Sequence, residues 1–244
     1  MKLIYWFQLL IRSYSYKRSD VGGIGYVISI LKKGQCVLDV GCHKGEYLFF
    51  MRKKVGPTGK VYAFEPQSAL YKYLLKVKIL FKWDNVVVEQ IAVSNTKGLA
   101  TLFVPGATFD ATLQQSVLKS NFIFSEQVPT ETLDSYCEAR KIAPEFVKID
   151  VEGNELNVLN GGVEVLKKYK PRILIEIEAR HVGEEKAKET FEFLMQLGYQ
   201  GSFVHNNTYK PLDAFSFKEH QNKKNLWSNK CQTPYCNNFI FEVI

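Results

Sequence analysis

Long apolar runs are missing from this sequence. None of its 244 residues belongs to a run approaching the roughly 20 positions that span a bilayer, which excludes a transmembrane helix and predicts a soluble chain. An apolar block from Leu3 to Ile11 lies between Lys2 and Arg12, but no small-residue cleavage site follows it, so it does not read as a secretory signal. It reads as an amphipathic helix packed on the chain's own body, with contact of residues 2–12 to a membrane surface as the second reading. Cysteine is scarce and odd in number: Cys36, Cys42, Cys137, Cys231 and Cys236. Two of them flank a predicted core strand, which implies reduced thiols and a cytoplasmic setting. Cys231 and Cys236 have knuckle spacing, yet no second Cys or His pair completes a tetrahedral zinc site. The net charge is +7, but the lysines are spread along helices and loops rather than gathered with aromatics, so they read as solvated faces and not as a nucleic-acid surface. Internal repeats and low-complexity tracts are absent as well.

Apolar content of 46% is enough for one large α/β core without help from disulfides or metals. Apolar runs alternate with helical periodicity, the pattern of strands joined by crossover helices. Seven main strands are predicted near 36–40, 60–65, 86–93, 146–150, 172–177, 199–204 and 238–243, forming a mainly parallel sheet with helices on both faces. Helices are predicted at 45–54, 68–82, 131–141, 155–169 and 184–197, the last closed by Gly198. Residues 1–35 form a helical segment ahead of a single domain at 36–244. The stretch 99–130 breaks the alternation, with an extra strand at 99–104 followed by a polar segment that could cover a cleft as a lid. Residues 205–236 read as irregular.

In a doubly wound sheet the ligand lies at the carboxyl ends of the strands, where the loop DVGCHKG at 39–45 falls. Gly41 and Gly45 would let the backbone approach a ligand, although the loop alone is equally a tight strand-to-helix turn. A dinucleotide is the main rival ligand, but its G-x-G-x-x-G pattern is not met, and Glu46 sits where a phosphate wants N–H donors. S-adenosylmethionine has no phosphate, and Asp39 can answer its ammonium group. Glu65 ends the second strand twenty residues past Gly45, where a carboxylate can take both ribose hydroxyls, and Pro66 stops the strand there. Gln90 and Ala92, around Ile91, are placed to contact the adenine edge and face.

The segments VLDVGCHKGEYL, VYAFEPQ, VEQIAVSN, TLDSY, FVKIDVEGNELNVLNGG, RILIEI and NNFIF occur in an order and spacing that resemble the FkbM-type methyltransferases. The likeness covers about residues 36–180 and the last strand, and KIDVEGNE with Gly161-Gly162 is its most specific part. It implies a Rossmann-like class I methyltransferase fold, S-adenosylmethionine as cofactor, and methyl transfer to oxygen, often a sugar hydroxyl of a glycan or a natural product. One departure is His43, where relatives commonly carry Asn, so an amide contact to the cofactor is not carried over.

Transfer to a hydroxyl needs alignment and a base. Candidates cluster at two strand ends: Asp150 and Glu152 in KIDVEG, then Glu176, Glu178 and His181 in EIEARH. Each carboxylate pair could converge if its segment stays extended. His181 is the preferred base, since its ordinary pKa suits neutral pH, with His205 as competitor. Asp150 would bind the cofactor's ammonium end or the acceptor. The carboxylates could instead hold one divalent cation, the second-ranked reading. Asp110, Thr112 and Gln114 are possible acceptor contacts. A carbohydrate or other small-molecule acceptor is expected, and the rival class is a non-catalytic binding or scaffold protein of the same fold.

Overall fold

A computed structural model describes residues 2–105, 111–114, 122–225 and 234–243. Asp110 and Cys231 lie outside the described residues. In chain order the elements are α1 (Lys2–Ser19), α2 (Val21–Ile30), β1 (Cys36–Val40), α3 (Glu46–Val55), β2 (Lys60–Phe64), α4 (Ser68–Phe81), β3 (Val86–Glu89), β4 (Ala92–Val93), β5 (Gly98–Pro105) and β6 (Phe122–Glu131). There follow α5 (Leu133–Arg140), β7 (Phe146–Ile149), α6 (Glu155–Asn160), α7 (Val163–Tyr169), β8 (Arg172–Glu176), α8 (Ala179–Val182), α9 (Glu184–Gln196), β9 (Gln200–His205), β10 (Thr208–Pro211), α10 (Phe217–His220) and β11 (Asn238–Glu242).

The central sheet has the order β10-β9-β11-β8-β7-β1-β2-β3. From β3 to β8 neighbouring strands are parallel, and β11 is antiparallel to both β8 and β9. The order reverses beside β1, so the loops leaving β1 and β7 open into a crevice at their carboxyl ends. β7 is buried along its whole length, as expected of a strand covered on both faces. Side-chain caps start the helices where the sequence supplies them. Asp20 accepts the Gly23 N–H at the start of α2, and Thr132 accepts the Ser135 N–H at the start of α5.

Four expectations are corrected. The sheet has eight strands, not seven, because β10 in the stretch read as irregular pairs with β9 along the edge. The run 86–93 is not one strand: it stops at Glu89, and β4 leaves to pair with β6 in a second sheet of order β4-β6-β5. That sheet also holds β6, whose alternating polar residues hide it because only one face is buried, around Leu102, Val104 and Val128. The helix expected at 155–169 is two helices, broken at Gly161-Gly162. A Cβ on Gly161 would lie 2.1 Å from the Ser94 carbonyl oxygen, so the break sets the second sheet against the first.

Candidate active site

A cavity of about 1100 Å³ opens at the carboxyl ends of β1, β2, β7 and β8, roofed by α1 and walled on one side by Leu102, Ala111 and Leu113. Its floor begins with the glycine loop. Gly41 has φ +79°, and a Cβ there would fall 1.8 Å from the Asp150 carbonyl oxygen, so β1 and β7 can close on each other only with glycine at this position. The Gly41 and Cys42 N–H groups both donate to the Phe64 carbonyl at 3.0 Å, tying the loop to β2. His43 has φ +47°, the left-handed conformation that Asn adopts more readily than most residues. Its Nδ1 lies 3.7 Å from a Glu46 oxygen.

The expected site residues divide into three groups. Gly41, His43, Glu65, Pro66, Ala92, Asp150, Glu152 and Glu176 line the cavity together. Asp39, Gly45 and His181 stand behind the wall: Asp39 is fully buried under the loop, Gly45 begins α3, and His181 reaches Glu152 with Nδ1 3.4 Å from Oε2. Gln90 points elsewhere, its amide donating to Ser68 Oγ at 2.8 Å, so the adenine-edge contact by its side chain is not supported. The third strand ends at Glu89 rather than running on to 93, and the Gln90 side chain turns toward α4. His205 packs against His220 and Phe203 and is not a cavity residue.

Asp150 and Glu152 do not stay extended, as convergence of the pair had required. β7 ends at Ile149, and Glu152 takes φ +52° before Gly153. Convergence is reached by the turn instead. Glu155 accepts the Val151 and Gly153 N–H groups at 3.2 and 3.1 Å, and Thr112 Oγ1 donates to the Glu152 carbonyl at 2.7 Å. Gln114 adds a 3.3 Å bond to Asn154. Thr112 and Gln114 thus brace the KIDVEG turn.

Lys148 was not anticipated. It lies in the middle of buried β7, its Nζ 2.9 Å from Asp150 Oδ2 and 4.8 Å over the Tyr47 ring. Burial opposes its charge, but Asp150, Asp39 and Glu176 together raise its pKa. A lysine inside FVKID was the available signal, because a cation in a strand covered on both faces must meet carboxylates. Glu178, one of the expected candidates, also lines the cavity, and Arg180, Tyr235 and Asn237, which were not anticipated, order its far end around it. Asn237 Nδ2 donates to Glu176 Oε1 at 2.6 Å and to Glu178 Oε1 at 3.3 Å, while the Tyr235 hydroxyl donates to Glu178 Oε2 at 2.8 Å. Arg180 binds Glu178 through two nitrogens. Burial and the surrounding carboxylates push the Glu176 pKa well up; at Glu178 burial is overcome by Arg180, which holds it low. The two carboxyls are thus biased in opposite directions, Glu176 toward its protonated form and Glu178 toward its charged one.

Burial also raises Asp39 to about 6, Glu65 to about 8 and Glu155 to about 7. Unfolded, these groups return to about 3.8 for Asp and 4.5 for Glu, so between those values and the folded ones the native chain retains protons that the unfolded chain has lost. Stability therefore falls as pH rises from about 4 to about 8. Thermal melts across this window should show Tm decreasing, with Glu65→Gln flattening the upper part; a Tm that climbs steadily would contradict the assignment.

The residues fit S-adenosylmethionine. Both Asp39 carboxylate oxygens are buried without a hydrogen-bond partner among the described residues, beside a loop where backbone meets backbone. Glu65 faces the cavity with one oxygen held by the Gln67 N–H at 2.9 Å. Among the described residues no group of three or more His, Cys, Asp or Glu could hold a metal ion, and no helix is long and apolar enough to cross a membrane.

This strand order and crevice define a Rossmann-like class I methyltransferase fold. The methyltransferase FkbM domain matches residues 39–211, and the chain belongs to that family of S-adenosylmethionine-dependent methyltransferases. Among solved structures, the FkbM methyltransferase of Methylobacillus flagellatus KT is similar over 88% of this chain, at 16% identity and a TM-score of 0.55. The chain spans 45% of that protein's length. A rRNA methylase from Streptococcus thermophilus is similar over 91% of this chain and 94% of its own, at 11% identity and a TM-score of 0.50. No curated protein matches the chain.

Proposed function

We propose that this chain methylates a hydroxyl oxygen of a carbohydrate acceptor, a sugar of a glycan or glycoconjugate precursor, in the cytoplasm. The observation that carries the reading is the Glu152–His181 pair at 3.4 Å, with Glu152 in the cavity wall beside the Glu176–Glu178 pair. The Gly41 loop, Glu65 and Ala92 would hold S-adenosylmethionine, with Asp39 buried behind the loop, and the cofactor when bound supplies a methyl carbon activated by positive sulfur. Glu152 takes the acceptor proton at its carboxylate, and His181 behind it positions that carboxylate and shares the charge. The structure thus favours a reversed order from the one expected: the carboxylate faces the acceptor and the imidazole supports it. The Glu176–Glu178 pair offers side-chain oxygens suited to hydrogen bonds with neighbouring hydroxyls of a sugar ring. Asp150, held by Lys148 at 2.9 Å, lines the same cavity and is placed to orient the cofactor or the acceptor.

The test is transfer of a labelled methyl group to a panel of glycan precursors, RNA and protein. Alkali-stable label in the carbohydrate fraction supports the reading; label confined to RNA, or S-adenosylhomocysteine binding without turnover on any acceptor, overturns it. Glu152→Gln should lower kcat by roughly 10²- to 10⁴-fold with cofactor-product affinity little changed. Full activity in EDTA is expected, and loss of activity would favour the divalent-cation reading.

A further inference from the structure

α1 carries three distinct faces. At about 100° per residue, Gln8, Arg12, Ser15 and Ser19 share the face turned to the cavity, and Leu9 and Ser13 share the face buried on the body. Phe7, Ile11 and Tyr14 make a third face, exposed by 59%, 57% and 47%. Phe7 and Ile11 also reach the cavity, so this apolar face is its rim. Arg18 continues the same face and is exposed. Lys17 Nζ sits 5.9 Å over the Phe50 ring and Lys53 Nζ 4.8 Å over the Phe49 ring, while Tyr14 packs edge-on against both rings. Apolar side chains bordered by cations whose stems lie on aromatic rings form the profile of an interfacial helix.

The charge of the N-terminal third agrees. Residues 1–83 contain fifteen Lys and Arg against four acids, whereas residues 84–244 contain seventeen against twenty-one. All four acids, Asp20, Asp39, Glu46 and Glu65, are buried or half-buried, so this part of the chain exposes cations only. Glu46 is itself paired with Arg12 at 2.6 Å.

We propose that the outer face of α1 docks on an anionic lipid bilayer and seats the cavity mouth at head-group level. An anionic bilayer fits both properties at once, taking the apolar side chains among its acyl chains and the lysines among its head groups. The acceptor is then a glycan head group presented by a membrane-held amphiphile; this last step alone rests on the methyl-transfer reading.

Sedimentation of the full chain with vesicles tests the proposal. Binding to mixed phosphatidylcholine and phosphatidylglycerol vesicles is expected, at least tenfold weaker on pure phosphatidylcholine or in raised salt. Ile11→Ser with Tyr14→Ser should weaken association by about tenfold or more, and Lys17→Glu with Arg18→Glu similarly. Ile11, Tyr14 and Arg18 are exposed and Lys17 is half-buried, and melting curves establish that the variants fold. Calorimetry with S-adenosylhomocysteine on the same samples separates the two readings: vesicle binding without cofactor-product binding sustains the docking and sinks the transferase reading. A folded chain that binds the cofactor product but no vesicle overturns the docking. So does a dimer dispersed by Ile11→Ser with Tyr14→Ser, or an RNA oligomer bound through these residues when vesicles are not.

Discussion

Gly41→Ala is expected to abolish cofactor binding and to cost more than about 3 kcal/mol of stability. Two demands meet at this residue. Its φ of +79° is strained for any residue with a side chain, and the added methyl would lie 1.8 Å from the Asp150 carbonyl, a backbone atom that cannot rotate away. Relief requires β1 and the KIDVEG turn to separate, which carries Asp150 and Glu152 out of register with the loop. A fall in Tm of about 10 °C, with S-adenosylhomocysteine binding lost at the highest concentrations tested, is the expected result. A variant that melts and binds like the parent would show that the loop and the turn are not in contact as described.

The second large effect is expected from Lys148→Met. The substitution preserves length and much of the apolar stem but removes the cation that, among the described residues, faces Asp39, Asp150 and Glu176, so buried carboxylates lose their counter-charge. Removing one partner of a buried ion pair costs about 3–5 kcal/mol. Part of that loss should be recovered on acidification, because the orphaned carboxylates can then take up protons and cease to be charged. Denaturant melts of parent and variant at about pH 5 and about pH 8 make the comparison. The gap should widen at the higher pH; an equal gap at both would mean that Lys148 stabilises through packing alone.

How far the fold could be read in advance followed from periodicity. β1, β2, β7 and β8 are continuous apolar runs, and α9 repeats its buried residues Ala187, Thr190, Phe191 and Leu194 at helical spacing. Both patterns are local, so they are visible in the chain. The second sheet was not: β4 is two residues long and β6 is solvated on one face, so neither departs from what a loop would show. Gly161-Gly162 hid within a helical pattern because its reason, the Ser94 carbonyl, is more than sixty residues away. At the site, the glycine loop and Glu65 were legible because strand ends fix their place. The strand stopped at Glu89 instead of continuing through Gln90, which was therefore misplaced. Lys148 was overlooked although its oddity lay in plain view, a charge in a buried strand. Tyr235 and Asn237 could not be anticipated at all, since only the insertion of β11 between β8 and β9 brings them beside Glu178.

That insertion also orders events in time. β11 is the last described strand, yet it occupies an interior place in the sheet, antiparallel to both neighbours. During synthesis β1, β2 and β7 leave the ribosome early and can close the loop around Asp39 by themselves, whereas β8 and β9 have to wait with a strand-wide gap between them. Only when Asn237 arrives do Glu176 and Glu178 receive their shared amide. The nascent chain therefore completes the glycine-loop side of the cavity first and the Glu176–Glu178 side last, and a chain released short of β11 would leave the sheet with an open seam.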